Sequence, residues 1–127
     1  MDIEKVKAYW LKSANEDRIV AEHLAEKGDF RYALFFGHLY LEKLLKVLVV
    51  QATGQQAPYS HNLLFLAYKA GLDLSEDDQE FFDRMTRWSI NARYPNEDME
   101  EIDGDVSRRD LTEALEKGSW LQVKVKH

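Results

Sequence analysis

The chain of 127 residues has a length suited to one domain, residues 1–127, and its lack of cysteine excludes disulfides and thiolate metal sites. The net charge of −6 argues against a protein that coats nucleic acid, although it is compatible with a small local basic site. The N-terminus carries charges where a signal peptide would be apolar, and the longest apolar stretch, 44–50, is interrupted by Lys46 and too short to cross a membrane. We therefore expect a cytoplasmic protein without a membrane segment.

Hydrophobic residues at spacings of three and four predict two long helices in the first half of the chain. The first runs from an Asp2 cap to about Lys27, and a glycine ends it. The second runs from about Phe30 to Thr53 after an Asp29 cap, and a glycine follows it too. This second helix is the most apolar segment, so we expect it to lie at the centre of the fold.

Three shorter helices are predicted in the second half. Ser60 is the expected cap of a third helix that ends near Ala70. A fourth should span Glu76 to about Ala92, with Ser75 and Asp78 as a variant capping box, and Pro95 should force Tyr94 out of helical geometry. An acidic loop, 96–105, then precedes a fifth helix of roughly Arg108 to Val123, opened by Ser107 with Asp110. These elements predict an all-α, antiparallel, up-and-down bundle of about five helices.

The second helix carries a polar seam on an otherwise apolar surface. At 100° per residue Arg31, His38, Glu42 and Lys46 fall on one face. One interpretation is that the seam faces water, as charged side chains usually do. The other is that Glu42 and Lys46, an i,i+4 pair of favourable order, line a polar groove.

Asp17 lies in the same seven-residue register as Ile3, Trp10 and Leu24, on or beside the face that the first helix should bury. A carboxylate there must be paired. A structural ion pair is favoured over a catalytic role, and Lys46 and Arg93 are both open as its partner.

The end of the fourth helix and the start of the third offer candidate anion-binding residues. Arg93 and Tyr94 precede a proline, and an arginine at such a corner can bind a phosphate or, alternatively, the last carbonyls of its own helix. His61 can donate to a phosphate or cap its own turn. The four histidines lack the spacing of a metal site, so we expect neither a metal nor a cofactor.

Several motifs, taken in order, resemble the HEPN family (higher eukaryote and prokaryote nucleotide-binding). They cover about residues 5 to 120 and each matches at the expected place along the chain. The matching segments are Ala14-x-x-Asp17-x-x-x-Ala21, Gly28 through Ala33, Glu42-Lys43-x-x-Lys46, Pro58 followed by His61-Asn62-Leu63, and Ala92-Arg93-Tyr94-Pro95.

The resemblance implies a helical bundle that commonly forms a homodimer. It also implies a pairing with a small nucleotidyltransferase of the MNT type, as in toxin–antitoxin-like pairs. Many relatives are metal-independent ribonucleases with an arginine and, four to six residues later, a histidine near the fourth helix. No histidine follows Arg93 or Arg87 at that spacing. The spacing occurs only as Arg18 with His23 and Arg31 with His38, in other helices.

We therefore expect a module that binds a nucleotide or RNA in a polar groove. Its ligand-binding residues would be Lys46, His61, Arg93 and Tyr94, and Asp17 and Glu42 would support them. The alternative is an endoribonuclease toxin in which His61 or His38 is the general base and Arg93 stabilises the phosphate. A helical scaffold without a ligand is the third hypothesis.

Overall fold

The computed structural model describes residues 1–94 and 104–127, which form five helices and no strand. The helices are α1 (Ile3–Glu26), α2 (Phe30–Thr53), α3 (Leu63–Lys69), α4 (Glu76–Arg93) and α5 (Gly104–Val123). The predicted all-α bundle is confirmed. Most of the predicted acidic loop, 96–103, lies outside the described residues.

Several predicted helix ends are confirmed by their hydrogen bonds. The Asp2 carboxylate accepts from the Lys5 N–H at 3.1 Å, and the Ser75 hydroxyl accepts from the Asp78 N–H at 3.1 Å. Tyr94 has φ −130° and ψ 66°, so the helix stops there as the following proline predicts. Asp29 occupies the cap position of α2, but its side chain makes no capping hydrogen bond.

Two predicted starts were wrong. Asn62, and not Ser60, caps α3: its side chain accepts from the Phe65 N–H, while Ser60 accepts from the Asn62 N–H in the preceding turn. The fifth helix begins at Gly104, so Ser107 lies inside it and is fully buried. The capping pattern at Ser107 and Asp110 misled because Asp110 faces α4, where it binds Arg84 and Trp88.

Helix α2 forms the centre of the bundle, and all four other helices contact it. Its buried residues run almost without interruption from Tyr40 to Val50, with Lys43 half-buried. Such a helix is apolar on nearly all sides because it is surrounded by neighbours. Helix α5 approaches α2 closely at Gly118, where any Cβ would collide with the buried Tyr40 ring of α2. None of the described helices is long and apolar enough to cross a membrane.

Candidate functional site

The polar seam of α2 is buried and does not face water. The exposed fractions are 0% for His38, 3% for Glu42 and 6% for Lys46. The interpretation that placed this seam on the solvent side was wrong. Because a buried charge is tolerated only with partners, the seam requires polar contacts from other elements.

Glu42 uses both of its carboxylate oxygens. Lys46 Nζ lies 3.2 Å from Oε2, and His61 Nδ1 lies 2.7 Å from Oε1. The Lys46 ammonium also lies 5.0 Å from the centre of the Trp10 ring of α1. The carboxylate therefore joins a lysine of its own helix to the histidine that precedes α3.

His61 and Arg93 meet at the surface, beside α2. Arg93 Nη1 lies 3.0 Å from His61 Nε2, and its guanidinium lies 5.1 Å from the centre of the Phe35 ring. Since an arginine only donates, this contact makes His61 Nε2 the acceptor, and Nδ1 is then the nitrogen that donates to Glu42. The His61 side chain is 55% exposed and Arg93 is exposed, so a ligand can reach both.

The carbonyls at the end of α4 are bound by Arg31 and not by Arg93. Arg31 Nη2 donates to the Asn91 and Ala92 carbonyls at 3.2 and 3.4 Å. These carbonyls have no partner within their helix, and a cation stabilises that end of the helix dipole. Arg93 itself contacts His61 and the Phe35 ring. Arg31 fixes the end of α4 against α2 and leaves Arg93 available to His61.

His38 supports the loop that carries His61. Its Nε2 lies 2.7 Å from the His61 carbonyl, to which it donates. Its Nδ1 is buried without a hydrogen bond, 3.9 Å from Glu42 Oε1. Burial lowers the pKa of His38 to about 4, against the opposing effect of Glu42. His38 is thus neutral at pH 7 and enclosed, and it does not reach the surface where His61 and Arg93 lie.

Asp17 is paired within the α1–α2 interface. Lys43 Nζ lies 2.6 Å from Asp17 Oδ2 and donates to the Ser13 hydroxyl, also at 2.6 Å. Neither predicted partner, Lys46 or Arg93, is within ion-pair distance of it. The structure therefore gives Asp17 the structural ion pair that its position in α1 favoured, but with a lysine that the sequence interpretation had not considered.

Tyr94 follows Arg93 and is 72% exposed. Its backbone N–H donates to the Ile90 carbonyl and ends α4. The structure thus brings Glu42, Lys46, His61 and Arg93 into one connected group with Tyr94 beside it. Sequence reasoning missed Trp10, Phe35 and the bridging role of Arg31, because ring contacts between distant helices leave no local pattern in the sequence.

The described parts of the chain contain no group of three histidine or acidic side chains arranged to hold a metal ion. The HEPN domain model matches residues 8–119, which is most of the chain. The chain belongs to the HEPN domain family. Searches of curated proteins and of solved structures each gave no significant match.

Proposed function

We propose that this HEPN domain binds a phosphate group of a nucleotide or of RNA at His61 and Arg93. The observation that carries the proposal is the hydrogen-bonded line from buried Glu42 through His61 to the exposed Arg93. A guanidinium has five donors in a fork that matches two phosphate oxygens, and Arg93 uses one of them on His61. Tyr94 borders this position, and Lys46 supports it through Glu42.

The local charge favours an anion, although the whole chain is acidic. Lys46 and Glu42 largely offset each other at 3.2 Å. Arg93 then contributes a positive charge at the surface, and Arg31 a second one at the end of α4. Because salt screens charges beyond roughly 8 to 10 Å, the potential at this position depends mainly on nearby charges, and these two cations are among them.

Replacing Arg93 with alanine tests this proposal. Loss of a charge-assisted hydrogen bond should weaken binding of a nucleoside monophosphate by roughly 10-fold or more. The free energy of unfolding should change by less than about 1 kcal/mol, since Arg93 is exposed. Isothermal titration calorimetry and urea denaturation give the two quantities.

Arg87→Ala is the matched control, because Arg87 is an exposed arginine of the same helix, paired with Asp83 at 2.7 Å. It should leave nucleotide affinity unchanged. If Arg93→Ala destabilises the protein strongly and binding persists, Arg93 belongs to the scaffold and the proposal is wrong. Absence of any binding or ligand-dependent thermal shift in the wild type would favour a scaffold without a ligand.

Metal-independent RNA cleavage is the second candidate, favoured by the hydrogen bond between Glu42 and His61 Nδ1. A carboxylate that fixes one nitrogen orients the other as a general base. After Arg93 moves to the phosphate, Nε2 would take the proton of a ribose 2′-hydroxyl. The 2′-oxygen would then bond to phosphorus as the bond to the 5′-oxygen breaks, and the leaving 5′-oxygen would take a proton from water. Cleavage of RNA in EDTA by the wild type but not by His61→Ala tests this chemistry.

A partner protein is the remaining part of the proposal. The family commonly forms homodimers and pairs with MNT-type nucleotidyltransferases, in the manner of toxin–antitoxin pairs. The family assignment supports the same arrangement for this chain. A small nucleotidyltransferase encoded by the adjacent gene, and its co-purification with this chain, would be the expected result.

A further inference from the structure

The two chain segments that bring His61 and Arg93 together each carry an exposed tyrosine. Tyr94 follows Arg93 directly and is 72% exposed. Tyr59 precedes His61 by two residues and has a relative exposure of 107%, so its ring is open to solvent. The contact between His61 and Arg93 therefore joins two segments that each present an uncovered aromatic ring.

The loop that carries Tyr59 is fixed near the site on both sides of the ring. Pro58 precedes it and restricts the backbone. After it, the His61 side chain is bound to Glu42 and the His61 carbonyl is bound to His38. Tyr59 thus projects into solvent only two residues along the chain from His61.

Exposed aromatic rings beside a cation are suited to nucleobases. Stacking on an aromatic side chain contributes to single-strand binding whatever the base, since every base has a π face. Each phosphodiester has a nucleoside on either side, so one exposed ring on each of the two segments that His61 and Arg93 join suits a dinucleotide step. A paired duplex would keep its bases away from both rings.

We propose that Tyr59 stacks on the base at one side of the bound phosphate, with Tyr94 on the other side. This inference rests on the proposed function, and it adds a base-binding residue and a ligand class: an unpaired nucleic acid of at least two nucleotides. Tyr59 would then bind the ligand directly, at a position separate from the residues that bind the phosphate.

The test uses inorganic phosphate and a deoxydinucleotide, which lacks the 2′-hydroxyl needed for self-cleavage. Tyr59→Ala should weaken dinucleotide binding by roughly 5- to 150-fold while phosphate affinity stays unchanged. Tyr59→Phe should retain wild-type affinity, because stacking needs the ring and not the hydroxyl. Tyr68→Ala is the matched control: Tyr68 is 77% exposed but lies at the far end of α3, beside Leu72 and Gln79.

The outcomes separate this inference from the proposed function. If the wild type binds neither phosphate nor the dinucleotide, the proposed function is wrong and this inference falls with it. If phosphate binds and Tyr59→Ala leaves dinucleotide affinity intact, only the inference is overturned. If Tyr59→Ala changes the mass measured by light scattering but leaves dinucleotide affinity unchanged, the Tyr59 ring belongs to a protein interface. That result would also overturn the inference.

Discussion

Glu42 is the side chain on which the candidate site depends. Its side chain is 4% exposed, and its two oxygens are divided between Lys46 and His61. A buried carboxylate requires such partners, and in turn it fixes the position of the imidazole. The same contacts that stabilise the seam therefore orient the histidine that we propose as a ligand-binding residue.

His38 should make folding stability depend on pH. Its pKa is about 4 in the folded protein and about 6.5 in the unfolded chain, so the unfolded chain takes up a proton that the folded protein excludes. The contribution is fully present above pH 6.5 and is lost as the pH falls towards 4, by about 3 kcal/mol in all. Urea denaturation at pH 7 and at pH 4.5 should show this loss for the wild type.

The variant His38→Gln isolates this effect from the titration of other groups. An amide can still donate towards the His61 carbonyl but does not titrate, so its stability should fall less over the same pH interval. His23→Gln, at an exposed position of α1, is the control and should follow the wild type. Parallel curves for the wild type and His38→Gln would contradict the assignment.

At the scale of elements, helix positions could be predicted from the sequence better than helix starts. Spacing and glycines located all five helices, and the caps at Asp2 and Ser75 were predicted correctly. Asp110 shows why the start of α5 was not predicted correctly. A serine followed by an aspartate three residues later has the sequence of a cap wherever it occurs. Only the tertiary contact with Arg84, 26 residues away, decides that this aspartate faces inward.

The contact between Asp110 and α4 should contribute more to stability than a surface ion pair. The Asp110 side chain is 6% exposed and accepts from Arg84 at 2.9 and 3.0 Å and from Trp88 Nε1 at 2.7 Å. Asp110→Ala leaves these donors unpaired and should lower the free energy of unfolding by about 1–3 kcal/mol. The measurement is urea denaturation at pH 7.

Asp83→Ala provides the comparison within the same protein. Asp83 is 50% exposed and pairs with Arg87 on its own helix at 2.7 Å, so its loss should cost no more than about 0.5 kcal/mol. Equal effects of the two substitutions would show that burial of Asp110 adds nothing to its pairing.

At the scale of the whole molecule, α4 suits the predicted homodimer. The end of α4 presents the exposed side chain of Ile90 to solvent. A two-fold axis perpendicular to α4 would set the two copies of the helix antiparallel. Light scattering at micromolar concentration should give about twice the 14.9 kDa of one chain.

Substitutions at exposed isoleucines locate the interface. Ile90 on α4 is 52% exposed, and Ile90→Asp should convert the dimer into a monomer. Ile19 on α1 is 47% exposed, and Ile19→Asp should leave the dimer intact. A wild-type mass near that of one chain would contradict the dimer. If Ile19→Asp gives a monomer and Ile90→Asp does not, the interface lies on α1 and not on α4.

Only part of the candidate site could be predicted from the sequence, because some of its residues are close along the chain and others are far apart. Glu42 and Lys46 share a helix face, so periodicity alone grouped them. His61 is 19 residues from Glu42 and 32 from Arg93, and only the packing of α3 and α4 on α2 brings the three together. The residue types at these positions suggested anion chemistry, but periodicity has no means of placing loops against helices.

The buried seam has a consequence for how α2 sits in the bundle. A helix that is apolar on almost all sides can rotate about its own axis and still bury hydrophobic surface. Hydrophobic contacts alone therefore determine its rotational orientation only weakly. Turning α2 would separate Glu42 from His61 and Lys46 from Trp10, and it would move the Glu42–Lys46 pair against apolar neighbours at a desolvation cost of several kcal/mol. The seam therefore fixes the rotation of α2 about its axis, because the charged residues of the candidate site keep their partners in only one orientation of the central helix.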